Sequence, residues 1–197
     1  YAVEQTVTPI RDSAGRLSHF VAIQEDISER LKTEDKLARL TDYDTLTGLP
    51  NRRVFMDRLR AAMVRADRSN AMVAVMIMDV NNFKSVNNTL GHDVGDALLV
   101  SVVARISKLM RTTDTLSRLN GDMFGVLLEG VTDMAAASRS VRSILGRFHE
   151  PITVCGHVVD VTSSIGVAAY PKDETDPSSL IRQAEVAMYK AKAEGNN

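Results

Sequence analysis

The chain has 197 residues, 44% of them hydrophobic, enough to bury the core of one domain of ordinary size plus a small appendage, which excludes a disordered chain. Its 24 Lys and Arg against 25 Asp and Glu leave a formal net charge of -1, so no overall field favours DNA, RNA or an anionic membrane surface. The lone Cys155 excludes an intrachain disulfide and a cysteine-rich zinc site.

No apolar run reaches the roughly 18 to 20 residues of a spanning helix, and no signal peptide opens the chain. A cytoplasmic setting is expected, within a larger protein, because the chain starts at Tyr1 inside a strand-like run. Residues 3–10 and 17–23 read as strands, joined through Arg11-Asp12-Ser13-Ala14-Gly15-Arg16 in a hairpin. Two strands alone are marginal in water, so this hairpin calls for neighbours or a docking surface. Ile27, Leu31, Leu37 and Leu40 then form an apolar stripe on an expected helix. The run Pro9-Ile10-Arg11-Asp12, Gly15-Arg16, Phe20-Val21-Ala22-Ile23 and Asp26-Ile27-Ser28-Glu29-Arg30 resembles the closing strands and exit junction of a PAS sensor domain.

From Tyr43 onward helices and strands alternate. Val54, Phe55, Leu59, Met63 and Val64 predict a helix over 50–66, with Pro50 suited to its start. Residues 71–79 form a continuous apolar run, the mark of a buried strand, in which Met72, Met76 and Met78 are core packing and which delivers Asp79 at its end. A second helix is expected over 95–110, then a hairpin of strands 113–119 and 123–128 around Gly121. A third helix over 135–148, a hairpin of 152–154 with 158–168 turning at Gly156, and a last helix over 177–194 complete the pattern. Together they predict an α+β fold with a mixed, mainly antiparallel sheet flanked by helices.

Asp79 at a strand end and Asp122 in the hairpin turn suit a Mg²⁺-nucleotide site, because this hard ion is held by one or two carboxylates plus phosphate oxygens. Asp44-Thr45-Leu46-Thr47-Gly48-Leu49-Pro50-Asn51-Arg52, Asp79-Val80-Asn81-Asn82-Phe83-Lys84, Asn87, Gly91-His92, Gly95-Asp96, Arg118 and Asn120-Gly121-Asp122-Met123-Phe124 resemble, in order and spacing, the GGDEF or diguanylate cyclase family. The resemblance runs from about residue 42 to 197 and implies a sheet similar to nucleotidyl cyclases and polymerase palms, with a ferredoxin-like core. It divides the chain into PAS strands (1–25), a signalling linker helix (26–42) and a GGDEF domain (43–197).

In that family two GTP molecules are condensed into cyclic di-GMP across a transient dimer, with Mg²⁺ or Mn²⁺. The resemblance implies that Asp79, the Val80 carbonyl and Asp122 hold the metal, with Asp122 also assisting the attacking hydroxyl. It implies that Asn87 and Asp96 read guanine, that Lys84 and Lys192 neutralise phosphates, and that Arg111 and Asp114, as Arg-x-x-Asp, form an inhibitory site for cyclic di-GMP. Arg grips a phosphate and a guanine face, while Asp accepts from guanine donors.

Three departures weaken catalysis. Met123 stands where the family has a metal-ligating Glu, and a thioether is a soft, uncharged partner for Mg²⁺. Asn120 replaces the first Gly of the signature, and Asn196 replaces an Arg expected to clamp the triphosphate. One lost ligand costs on the order of 10²- to 10⁴-fold in rate. The expectation is a degenerate, regulatory domain in cyclic di-GMP signalling, binding GTP, cyclic di-GMP or both with weakened or lost metal dependence, as a possible homodimer between its own PAS domain and a downstream EAL domain. An active cyclase and a structural dimerisation module are the alternatives. His92 reads as a turn or cap, His157 as a hairpin tip, Cys155 as a core or edge residue, and Asp44 with Arg52 or Arg53 as a turn brace.

Overall fold

The computed structural model describes residues 1–11, 17–29, 41–148 and 150–195. The expected linker helix and the hairpin's connecting residues fall largely outside these, as does Asn196. The chain divides into two compact units, Tyr1–Thr41 and Asp42–Asn197.

In the first unit, β1 (Val3–Arg11) and β2 (Leu17–Asp26) pair antiparallel, Val3 opposite Asp26. The open end is tied by Ile27 N–H donating to the Ala2 carbonyl (3.0 Å) and Ala2 N–H donating to Ser28 Oγ (2.9 Å). Val7 and Phe20 on one face and Ile10 and Ile23 on the other are exposed.

The second unit contains α1 (Arg52–Ser69), β3 (Met72–Val80), α2 (Phe83–Leu90), α3 (His92–Ser107), β4 (Thr115–Asn120), β5 (Met123–Val131), α4 (Met134–Gly146), β6 (Ile152–Val154), β7 (His157–Val159), β8 (Ser163–Tyr170) and α5 (Pro177–Ala193). Its main sheet has the order β4-β5-β3-β8 with every neighbouring pair antiparallel, the order of a βαββαβ unit. β3 is central and buried on both faces, which is why it reads as unbroken apolar sequence. Alternate side chains go to opposite layers. Ala74, Met76, Met78 and Val80 pack with Leu98, Val102 and Ile106 of α3 and Ile144 of α4. Val73, Val75 and Ile77 pack with Phe55 and Leu59 of α1 and Leu180, Ala184 and Met188 of α5. Asp79 continues this second series.

Two expectations needed correction. The predicted hairpin of 152–154 with 158–168 is two separate features: β6 pairs with the short β7, whereas β8 belongs to the main sheet beside β3. The chain changes sheets at 160–162, where Asn81 N–H donates to the Thr162 carbonyl (2.9 Å) and Asn81 Nδ2 to Thr162 Oγ1 (2.9 Å). The predicted helix over 95–110 starts earlier, at His92, and is preceded by the separate helix α2, with Gly91 at φ 91° as the break. Cys155 is exposed, with φ 49° in the β6–β7 turn.

Close packing of α5 depends on Gly166 in β8. A Cβ there would lie 2.0 Å from the Ala184 carbonyl oxygen and 2.2 Å from Met188 N, so only glycine admits the helix backbone this near the strand. That approach brings Lys192, one turn beyond Met188, over the end of β3.

Candidate functional site

The end of β3 and the β4–β5 turn meet because the strands are antiparallel. Asp79 lies directly opposite Met123, and Val80 N–H donates to the Asp122 carbonyl (3.3 Å). Paired residues of an antiparallel ladder share a face, so Asp79 and Met123 point to the same side. On that side Met123 is buried in the cluster with Phe55, Leu119 and Met188. Asp79, only 6% exposed, is met by Lys192 Nζ at 2.5 Å. A buried carboxylate needs such a partner, since desolvation penalises an isolated charge. Burial, then the neighbouring charge of Asp79, pushes the Asp122 carboxyl up from its ordinary value.

The donor set falls short of a complete metal cage. Among the described residues no group of three or more His, Cys, Asp and Glu side chains is placed to hold an ion. Asp79, Asp122 and the Val80 carbonyl are the available oxygens, Asp79 is already matched by an ammonium, and the fourth neighbour is a thioether committed to the core. A divalent ion here would need phosphate oxygens to complete its coordination.

The turn itself is braced from a distance. Arg118 Nη1 donates to both oxygens of Asp44 (3.0 and 3.1 Å), and its Nε donates to the Gly121 carbonyl (2.8 Å). Asp44 also accepts from Thr47 N–H (2.8 Å) and Thr47 Oγ1 (2.6 Å), while Arg118 N–H donates to the Pro50 carbonyl (3.0 Å). The expected brace of Asp44 to Arg52 or Arg53 is therefore corrected. Arg52 pairs with Glu185 and Arg53 with Asp42 and Asp57, while Thr47 and Arg118 occupy the Asp44 carboxylate.

On the far side of the β3–α2 connection, Asn87 lies against the first turn of α3. A Cβ at Gly95 would sit 1.8 Å from Asn87 Oδ1, so the carboxamide occupies the space that glycine leaves. Asn87 Oδ1 is buried without a hydrogen-bond partner, and Asp96 next to Gly95 is exposed. An orphaned acceptor beside a free carboxylate suits a ligand with adjacent N–H donors. Lys84 is exposed in the first turn of α2. In the sequence Gly95 opens the expected helix over 95–110 and belongs to the Gly95-Asp96 pair of the family resemblance; only the packing shows that it makes room for Asn87.

Arg111 and Asp114 lie before β4, at the opposite end of that strand from the turn, roughly 17 Å away for six extended residues. They line a cavity of about 410 Å³ with Glu129, Thr132, Arg139 and Ser140. Asp114 Oδ2 accepts from the Arg111 N–H (2.9 Å), closing the loop on itself. Arg139, on α4, is a second cation in this cavity. Nothing in its sequence neighbourhood marks it, since it reads as one exposed helix arginine among several.

Residues 41–197 match the family model described as diguanylate cyclase, GGDEF domain. The chain belongs to the GGDEF family. It is 40% identical over 162 residues to the bifunctional diguanylate cyclase/cyclic di-GMP phosphodiesterase MucR of Pseudomonas aeruginosa, covering 82% of this chain and 24% of MucR. It is 36% identical over 170 residues to the cyclic di-GMP phosphodiesterase PdeR of Escherichia coli, covering 86% of this chain and 25% of PdeR. The solved GGDEF domain of TpbB from Pseudomonas aeruginosa is 38% identical, with a TM-score of 0.75 over 77% of this chain and 89% of that one. The chain spans roughly a quarter of MucR and of PdeR. The GGDEF fold accounts for the antiparallel sheet and flanking helices. No helix among the described residues is long and apolar enough to cross a membrane.

Proposed function

We propose that this GGDEF domain is a regulatory guanine-nucleotide-binding module of a cyclic di-GMP signalling protein, with cyclase chemistry impaired. The observation that carries the reading is the strand-end site: Met123 packs into the core opposite Asp79, and Asp79 is paired with Lys192. Phosphoryl transfer depends on cations that neutralise developing charge, and here one expected carboxylate ligand is replaced by an apolar side chain.

Two recognition features remain. Asn87 and Asp96 offer acceptors to the guanine edge, with Lys84 and Lys192 near the phosphates. The Arg111, Asp114 and Arg139 cavity offers two guanidinium groups and a carboxylate to cyclic di-GMP. The names of MucR and PdeR include phosphodiesterase activity, which supports coupling to a downstream effector such as an EAL domain. Residues 1–25 as the end of a PAS domain, 26–42 as a signalling linker and 43–197 as the GGDEF domain complete the proposal, with cyclic di-GMP, GTP and a second copy of the chain as partners.

The retained Asp79 and Asp122 favour a second reading, a slow cyclase. Incubation with GTP and Mn²⁺, with mass spectrometry of the product, separates the two. The regulatory reading expects turnover at least ~100-fold below that of Met123→Glu, the size of one lost ligand. A native chain that forms product as readily as Met123→Glu, with both clearly active, refutes it. Calorimetry with cyclic di-GMP on the native chain and Arg111→Ala tests the cavity, with binding expected for the native chain and lost in the variant.

A further inference from the structure

Under the proposed function the Asn87–Asp96 pair and the strand end serve the base and the phosphates of one nucleotide, and they are unequally equipped. At the base end, Asn87 Oδ1 is a buried acceptor with no partner, wedged over Gly95, and the exposed Asp96 carboxylate follows directly. Turned from Gly95 toward a bound base, the carboxamide oxygen would gain donors, and guanine presents adjacent N–H groups that adenine lacks. At the phosphate end, attraction is largely spent within the protein. Lys192 Nζ lies 2.5 Å from Asp79 Oδ1, so a cation arriving at Asp79 must displace or share that ammonium. Met123 adds no charge and is held in the core. Asp79, Asp122 and Lys192 sum to a charge of about −1, and Arg118, the other cation beside Asp122, is itself paired with Asp44. Successive phosphates bring negative charge to a surface with no spare cation, without a full ligand set for the ion that would bridge them.

We infer that this site recognises guanine but does not count phosphates: GTP, GDP and GMP bind with similar affinity, and Mg²⁺ changes little. The inference rests on the reading that Asn87 and Asp96 bind a guanine nucleotide. It assigns the affinity to the base and ribose, so the domain reports guanine nucleotide as a class rather than the triphosphate.

Calorimetry on the full chain with GTP, GDP, GMP and AMP, in Mg²⁺ and in EDTA, tests it. The three guanine nucleotides are expected within about fivefold of one another in both conditions, with AMP at least ~10-fold weaker. A larger preference for GTP in Mg²⁺ overturns the inference and leaves guanine binding intact. No heat from any guanine nucleotide, or AMP equal to GMP, overturns the underlying reading. Met123→Glu is expected to open a GTP preference of ~10-fold or more in Mg²⁺ but not in EDTA, since it supplies the missing carboxylate. A folded variant that still treats GTP and GMP alike refutes the assignment to Met123. The native measurements decide the main point whether or not that variant folds.

Discussion

Replacing Arg118 with Met keeps an unbranched apolar stem and removes the guanidinium, its charge and every donor. In the native domain that guanidinium spans Asp44, at the entrance to the second unit, and the Gly121 carbonyl, at the turn before Asp122. Arg118 is 13% and Asp44 23% exposed, so the pair is sheltered but not dry. A hydrogen bond with a charged partner contributes about 1.5 to 3 kcal/mol, and solvent access places this pair near the lower end. Adding about 1 kcal/mol for the bond to the Gly121 carbonyl gives an expected loss of roughly 3 kcal/mol. For a domain of this size that lowers the melting temperature by about 6 to 12 °C. Arg118→Lys is expected to recover less than half, because an ammonium cannot fork between a carboxylate and a carbonyl.

Urea denaturation of the 42–197 unit, followed by circular dichroism, measures the effect. Its pH dependence supplies an independent check. Burial opposes the charged form of Asp44, but hydrogen bonds from Thr47 and Arg118 and the Arg118 charge outweigh it, holding the carboxyl below its ordinary value. A depressed folded-state pKa gives stability that is present above the unfolded value of about 3.9 and is lost as pH falls through the folded value. The native protein therefore loses this contribution below about pH 4, and Arg118→Met has a shallower acid limb. A loss under ~1 kcal/mol with an unchanged acid limb refutes the brace.

Three further outcomes follow from the packing. Gly166→Ala places a methyl group against the α5 backbone, and because neither the central sheet nor the helix can yield easily, it is expected to cost about 3 kcal/mol in urea titrations. It is also expected to loosen Lys192 from Asp79, seen as faster amide exchange near the end of α5. Gly95→Ala drives Asn87 out of its place, so calorimetry is expected to show at least ~10-fold weaker GMP binding, while the unfolding midpoint falls by less than that of Gly166→Ala. Asp122→Asn removes a carboxylate disfavoured by burial and by Asp79, so the domain is expected to gain up to ~1 kcal/mol near neutral pH. A raised folded-state pKa makes that gain shrink as pH falls and the native Asp122 takes up its proton, so a gain that grows on acidification refutes the assignment.

Local pattern settled the kind of fold and much of its order. The run before Asp79, short and continuously apolar, reads as a strand buried on both faces, and the spacing of Leu98, Leu99, Val102 and Ile106 reads as one face of a helix. The break at Gly91 and the sheet change at 160–162 are not legible in the sequence, because a short helix and a three-residue strand carry too little periodicity. The placement of Asp79 at a strand end and of Asp122 in a turn was also legible, as was the thioether next to Asp122. What periodicity cannot supply is which distant residue lies opposite. Lys192 meets Asp79 across 113 positions, and Arg118 meets Asp44 across 74. Arg139 joins Arg111 only because α4 packs beside the end of β4 and β5. Composition and spacing determined which faces are apolar and where the charged groups leave the strands. Strand register and the close docking of α5 through Gly166 decided their partners, because a contact between remote residues exists only after the layers have packed.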